Sequence, residues 1–229
     1  MVFEINTCQS DIILPVYDST EKGVDRLFFL YLHMNKVKSI VIFCASSLGN
    51  SSVYEEQAAH VGQVLAASGI RLVYGGGRVG LMGAVANGAL AHGGEVIGVI
   101  PDFLNSKERE HTGVTKLITV DTMHDRKRIM SDYAEGVIAL PGGFGTLEEL
   151  FEMITWAQLG LHKKPVGLLN INGFYNHLIQ FIDHMVEEGL LKQENRAMLL
   201  VGDTIEELIG KMQQYETPQV PKWIEKNEI

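Results

Sequence analysis

Short, uninterrupted runs of apolar and often β-branched residues recur along the chain from Lys38 onward, and longer segments of mixed character separate them. Such runs are typical of strands buried on both faces of a parallel sheet, with helices as the connections. The fold class predicted is α/β, a doubly wound Rossmann-like parallel sheet with helices on both faces. The predicted strands are Ser39–Cys44, Arg71–Tyr74, Val96–Ile100, Leu117–Val120, Gly136–Leu140 and Val166–Leu169.

The segments between these runs predict the helices. Residues 1–33 lack the alternating rhythm, and we interpret them as an N-terminal extension of unknown role that precedes a single domain over residues 34–229. In doubly wound sheets ligands bind at the carboxyl ends of the strands, so the strand-to-helix turns deserve the closest reading. The predicted helices are Val53–Ala67, Leu81–His92, Thr122–Ala134, Thr146–Leu159, Gly173–Glu188 and Ile205–Gln213, with a short one near Gln193–Leu199.

Composition narrows the class of function. The formal net charge of −9 gives no basic footprint for nucleic acid. The two cysteines, Cys8 and Cys44, have neither a disulfide pattern nor metal-ligand spacing, which favours a reducing cytoplasm and no bound metal. The apolar run Leu27–Leu32 is too short to span a membrane and has no flanks typical of a signal peptide. We therefore expect a cytoplasmic protein that binds a small ligand.

The turn Pro141–Thr146 follows a predicted strand and opens a helix. Its glycines allow close approach of a ligand to the backbone, and the amides at a helix N-terminus favour an anion such as phosphate. A second interpretation needs no ligand, because Thr146 and Glu149 have the spacing of a capping box. On a helical wheel Glu149 lies with Met153 and Trp156, away from a predicted core stripe made of Leu147, Leu150, Phe151, Ile154 and Ala157.

Two further turns are candidate ligand loops. The stretch Tyr74–Gly83 contains Gly-x-Gly-x-x-Gly, but it follows the second strand and lacks the acidic residue of a dinucleotide site, so tight helix–sheet packing is an equal alternative. The stretch Cys44–Gly49 ends the first strand with small and hydroxyl side chains, including Ser47, that suit phosphate or ribose.

The predicted helix after Thr122 combines two cations with two methionines on one face. Met123, Arg126, Lys127 and Met130 share that face by helical spacing. This combination suits an anionic ligand that carries an apolar base. The alternative is a surface charge cluster whose methionines anchor the helix to the sheet.

Two of these elements together resemble the Lonely Guy (LOG) family. Pro141–Glu149 matches the pattern PGGxGTxxE, and Met123–Lys127 matches an MxxRK-type element. The number of residues between the two elements is also similar to that in the family. The resemblance extends from about Lys38 to about Tyr215. Ala45 departs from it, since glycine is common there, and residues 1–33 have no counterpart.

The resemblance implies hydrolysis of the N-glycosidic bond of cytokinin riboside 5′-monophosphates, or of AMP, to free base and ribose 5-phosphate. It implies Arg126 and Glu149 as the catalytic pair, a homodimer with the site near the interface, and no cofactor. The resemblance also implies that the glycine turns and their threonine hold the phosphate. Together with the Ser-containing first turn and the basic helix, the residues expected at the substrate and its phosphate are Ser47, Gly76, Gly77, Met123, Arg126, Lys127, Gly142, Gly143, Gly145 and Thr146.

The chemistry is consistent with that pair. Cleavage of an N-glycosidic bond develops positive charge on the ribose, which a carboxylate such as Glu149 stabilises while it activates water. Arg126 either fixes the phosphate or polarises the departing base, and the sequence leaves both roles open. The alternative function is a non-catalytic nucleotide or cofactor carrier, which needs no such pair. A lysine decarboxylase would need a positioned Schiff-base lysine, and nothing in the sequence marks one.

Overall fold

Seven parallel strands form the centre of the computed structural model, which describes residues 37–104 and 110–218. The predicted extension, residues 1–33, lies outside the described residues. The strands are β1 Ser39–Phe43, β2 Arg71–Tyr74, β3 Val96–Pro101, β4 Lys116–Val120, β5 Gly136–Ala139, β6 Val166–Leu169 and β7 Leu199–Gly202. They lie in the order β4-β3-β2-β1-β5-β6-β7, and every neighbouring pair is parallel.

Helices connect the strands. They are α1 Ser52–Ala67, α2 Gly80–Ala91, α3 Met123–Asp132, α4 Phe144–Gln158, α5 Asn176–Glu187, α6 Gln193–Arg196 and α7 Ile205–Gln213. Short 3₁₀ turns occur at Asp102–Leu104 and Ile171–Gly173. Within the described residues, no helix combines the length and the apolarity that a bilayer crossing requires.

The doubly wound α/β class predicted from the pattern is confirmed. Each residue of β1, β3, β5 and β6 is buried, as expected for strands covered on both faces. The edge strand β4 is partly exposed. The strand β7 was not predicted, because its short apolar run directly follows a helix and merged with the helix expected near Gln193–Leu199.

Two helix starts differ from the prediction by more than one residue. Helix α4 begins at Phe144, before the expected Thr146. The predicted helix Gly173–Glu188 is divided, since Gly173 adopts a φ of +69° and the regular helix starts only at Asn176. A positive φ ends a right-handed helical turn, and glycine adopts it without a steric penalty.

The strand order reverses beside β1. From β1 the chain winds outward through β2 and β3 to β4, then returns through α3 to place β5 on the other side of β1. Pairing runs from Ile40 with Gly136 to Phe43 with Ala139, so β1 and β5 end level with each other. In this topology the loops beyond the two strand ends diverge and leave a crevice between them.

Helices α1 and α2 pack through glycines at close range. A Cβ atom on Gly62 would overlap the carbonyl oxygen of Val85, and one on Gly88 would overlap the carbonyl oxygen of Ala59. Each helix therefore lies against the backbone of the other. Helix α2 follows the glycine turn after β2, so this packing also fixes that turn.

We predict that Gly88→Ala destabilises the protein by about 2 kcal/mol, because the added methyl group overpacks the contact between α1 and α2. Urea unfolding measures this change. The matched control is Gly210→Ala in α7, where no heavy atom lies within 4 Å of the new Cβ. That variant should be stabilised by about 0.5 kcal/mol through helix propensity alone. Equal effects in both variants would contradict the packing argument.

Candidate active site

A cavity of about 460 Å³ opens at the carboxyl ends of β1 and β5, where the strand order reverses. Its walls come from the ends of β1 and β2, from α2, α3 and the start of α4. The lining residues are Ile42, Phe43, Cys44, Ala45, Ser46, Ser47, Gly75, Met82, Leu104, Met123, Arg126, Met130, Gly143, Phe144, Gly145, Thr146, Glu148 and Glu149.

Backbone hydrogen bonds join the turns around the cavity. The amide of Ala45 donates to the carbonyl of Pro141 (3.2 Å), and the amide of Leu81 donates to the carbonyls of Ala45 (3.1 Å) and Ser47 (3.3 Å). Gly80 has a φ of +62° and lies so close to the Ser46 backbone that a Cβ atom would overlap it. The turns after β1, β2 and β5 are thus held as one frame.

Helix α4 presents its N-terminus to the cavity. Its N-cap is Gly143, which supplies no side-chain cap, and the first helical hydrogen bond runs from the Leu147 amide to the Gly143 carbonyl (3.1 Å). The amides of Phe144, Gly145 and Thr146 precede that bond. The capping-box interpretation is therefore wrong, because Thr146 is the third residue of the helix and not its cap.

The core face of α4 also differs from the prediction. Its buried residues are Thr146, Leu150, Met153 and Ala157, whereas Phe151 is 36% exposed. The helix carries two adjacent apolar stripes, and the sequence does not say which of them faces the sheet. Met153, which was predicted outside the core stripe, is buried, and Phe151, which was predicted within it, is partly exposed. Glu149 itself is half-buried and lines the cavity.

Arg126 is held in place by the ends of two strands. Its side chain is 95% buried, since only 5% of the residue is exposed. Its Nε donates to the carbonyl of Val99 (3.1 Å), and Nη2 donates to the carbonyl of Gly75 (2.7 Å). The helix that carries it is capped by Thr122, whose hydroxyl accepts from the Asp125 amide (3.0 Å). These contacts fix the guanidinium at the cavity wall.

Gly75 makes room for this guanidinium. A Cβ atom on Gly75 would overlap Nη2 of Arg126 and would lie 3.0 Å from the sulfur of Met82. The glycine turn after β2 therefore serves the site through Gly75, which the sequence did not single out. Gly76, with a φ of +78°, packs against Val99 and Ile100.

Cys44 lines the cavity together with the two charged candidates. Burial raises the pKa of the Cys44 thiol well above its ordinary value, the Glu149 carboxylate raises it further, and the Arg126 guanidinium opposes the rise. The thiol therefore interacts electrostatically with both Arg126 and Glu149. The sequence placed Cys44 in a ligand turn but did not identify it as a site residue.

Some of the predicted site residues line the cavity, and others do not. Ser47, Met123, Arg126, Gly143, Gly145, Thr146 and Glu149 line the cavity. Gly142 lines a smaller neighbouring cavity of about 140 Å³. The structure does not place Gly76, Gly77 or Lys127 in either lining. Gly77 pairs with Glu110, and the Lys127 ammonium contacts carboxylates of α4. Among the described residues no cluster of histidine, cysteine and carboxylate side chains has the composition of a metal site.

The fold and the cavity define a doubly wound α/β protein with a cavity at its topological switch point, lined by a buried arginine, a glutamate and a helix N-terminus. A profile of the family described as "Possible lysine decarboxylase" matches residues 82–212. The chain belongs to this family, the Lonely Guy (LOG) family.

Relatives of known name cover most of the chain. A probable cytokinin riboside 5′-monophosphate phosphoribohydrolase of Oryza sativa subsp. japonica is 46% identical over 84% of this chain and 78% of its own. A cytokinin riboside 5′-monophosphate phosphoribohydrolase of Arabidopsis thaliana is 46% identical over 80% of this chain and 86% of its own.

Solved structures share the fold at lower identity. The molybdenum cofactor carrier protein of Chlamydomonas reinhardtii has a TM-score of 0.59 and 21% identity, and the match covers 77% of this chain and 96% of that chain. DNA processing protein A of Helicobacter pylori has a TM-score of 0.51 and 14% identity, over 80% of this chain and 83% of that chain. Both comparisons support the α/β architecture only.

We predict that Cys44 reacts slowly with a thiol reagent in the folded protein, because its buried thiol stays protonated. In a Cys8→Ser variant, labelling with dithiobis(nitrobenzoate) at about pH 8 should be at least about 100-fold slower than in urea. Fast labelling in the folded state would contradict the burial and electrostatics described for Cys44. The unfolded sample controls for the reagent, since it exposes the same thiol.

Proposed function

We propose that the protein hydrolyses the N-glycosidic bond of cytokinin riboside 5′-monophosphates or AMP and releases the free base and ribose 5-phosphate. One observation carries the proposal: Arg126 and Glu149 meet in one cavity beside the N-terminus of α4. Relatives that are 46% identical over most of the chain are named as cytokinin riboside 5′-monophosphate phosphoribohydrolases, which supports the same reaction.

The 5′-phosphate is assigned to the start of α4. The amides of Phe144, Gly145 and Thr146 precede the first helical hydrogen bond, and the helix dipole adds partial positive charge there. Gly143 and Gly145 carry no side chain that could block an anion, and a Cβ at either would meet nothing within 4 Å. Ser47 lies across the cavity as a second polar contact.

Glu149 is assigned to the reacting carbon. It lies one helical turn beyond Thr146, so a nucleotide whose phosphate rests on the helix start extends its ribose toward this carboxylate. As the bond from C1′ to the base breaks, its electron pair leaves with the base, and positive charge develops on the ribose. The carboxylate stabilises that charge and takes a proton from the water that adds to C1′. That proton then passes to the departing base, which leaves as the free base, and the carboxylate is regenerated.

Arg126 is assigned to the base. Its Nε and Nη2 atoms donate to the backbone carbonyls of Val99 and Gly75, so its position does not depend on a ligand. A cation fixed in a buried wall stabilises the negative charge that develops on the departing base. The thioethers of Met82, Met123 and Met130 line the same region and offer apolar contact to a purine.

The homodimer and the cytoplasmic location are part of the proposal. On α4, beside the cavity, Phe144 is 94% exposed and Phe151 is 36% exposed. Exposed aromatic side chains next to a ligand site are typical of a protein interface, and a second copy of the chain is the partner that we propose. The substrate is a small nucleotide, and we propose no nucleic acid or membrane partner.

We expect the purified protein to release free base from isopentenyladenosine 5′-monophosphate or AMP, and none from the unphosphorylated riboside. The helix start recognises phosphate, so its removal takes away a main binding contact. Liquid chromatography of the reaction mixture measures the base. Binding of these nucleotides without release of base from any of them would contradict hydrolysis and support a carrier.

We expect Glu149→Gln to lower kcat at least about 100-fold, because the amide neither accepts the proton of water nor stabilises the ribose cation. Calorimetry should still detect AMP binding, since the phosphate contacts are unchanged. Glu188→Gln, an exposed position after α5, is the matched control and should keep normal turnover. Near-normal turnover in Glu149→Gln would remove Glu149 from the chemistry.

A further inference from the structure

We propose that Lys127 is a positioning residue whose ammonium ties the helix of Arg126 to the helix of Glu149, instead of binding the substrate phosphate. This inference rests on the proposed function, because the two helices carry the proposed catalytic pair. It also changes the role that the motif suggested, since Lys127 directly follows Arg126 and the resemblance places it at the substrate.

The contacts of Lys127 are direct. Its Nζ lies 2.6 Å from Oε1 of Glu148 and 3.0 Å from Oε1 of Glu152, and its side chain is only 10% exposed. Burial lowers the pKa of Lys127, but the hydrogen bonds that its ammonium donates to Glu148 and Glu152 and the charges of these carboxylates together outweigh burial, and the net shift is upward. The ammonium is therefore charged and committed to two carboxylates of α4.

Helical spacing explains why these two glutamates are the partners. Glu148 and Glu152 are four residues apart and share one face of α4, so a single ammonium reaches both. Glu149 is the next residue after Glu148, about 100° around the helix, and both residues line the cavity. Lys127 thus holds the face of α4 that adjoins Glu149.

The bridge crosses between two parts of the fold. Helix α3 packs on β3 and β4, whereas α4 packs on β5, β1 and β6. Met130 of α3 and Met153 of α4 belong to one hydrophobic cluster, which carries no directional contact between the helices. The Lys127 bridge adds directional contacts, and it does so next to both Arg126 and Glu149. The bridge therefore helps to set the separation of these two residues.

The test compares kcat and KM for AMP in Lys127→Met. A positioning role predicts that kcat falls roughly tenfold or more while KM stays within about twofold, because misplaced catalytic groups slow the reaction without removing phosphate contacts. A phosphate contact predicts the opposite, a KM raised at least about tenfold with kcat nearly unchanged. The second result would overturn the proposal. Lys163→Met, an exposed lysine, is the control.

Variants of Glu152 provide a second test of whether Lys127 positions α4 or contacts phosphate. Glu152 does not line the cavity, so Glu152→Gln should lower kcat only if the bridge matters. The loss in the double variant with Lys127→Met should be no larger than in Lys127→Met alone, and Lys127→Arg should restore most of the turnover. A normal kcat in Glu152→Gln would overturn the proposal, and so would a loss in the double variant that equals the sum of two measurable single losses. Circular dichroism melts confirm that each variant is folded.

Base release by the wild-type protein shows whether the proposed function fails, separately from the role of Lys127. If the wild type releases no base, hydrolysis fails, and the bridge is then tested by AMP affinity alone. Calorimetry should give nearly equal Kd values for wild type and Lys127→Met if Lys127 does not contact phosphate. A loss of affinity of about tenfold or more would overturn the assignment independently of turnover.

Discussion

The site depends on one topological constraint, the reversal of strand order between β1 and β5. Because β1 and β5 are paired in parallel and end level with each other, the turns that follow them diverge over the same edge of the sheet. The bond from the Ala45 amide to the Pro141 carbonyl holds these turns together, and the amide of Leu81 adds the turn after β2. The cavity is the space that this frame leaves open.

Within that frame, backbone carbonyls and amides supply many of the polar contacts of the site. Carbonyls at Gly75 and Val99 hold the guanidinium of Arg126, and amides at the start of α4 face the proposed phosphate. Backbone groups at strand and helix ends are fixed by the fold, so they cost little reorganisation when a ligand binds. The ammonium of Lys127 then joins the two helices that carry the proposed catalytic pair.

Much of this could be predicted from the sequence. The apolar runs gave six of the seven strands, because strands buried on both faces leave an uninterrupted apolar signal. The residues Arg126 and Glu149 were identifiable through their motifs, and the structure brings both to one cavity. The errors concern choices between similar local options: the first residue of α4, the apolar stripe of α4 that faces the sheet, and the short strand β7.

The sequence by itself determined the α/β pattern, the glycine turns and the candidate pair, because each is encoded in residues close together along the chain. Only the tertiary structure decided that Met153 is buried while Phe151 is partly exposed, that Gly75 accommodates Arg126, and that Lys127 turns to Glu148 and Glu152. The partners in these contacts are far apart in sequence: Glu148 and Glu152 lie 21 and 25 residues from Lys127, and Gly75 lies 51 residues from Arg126. A side chain with several acceptable neighbours is placed by the packing of whole elements, which local sequence does not specify.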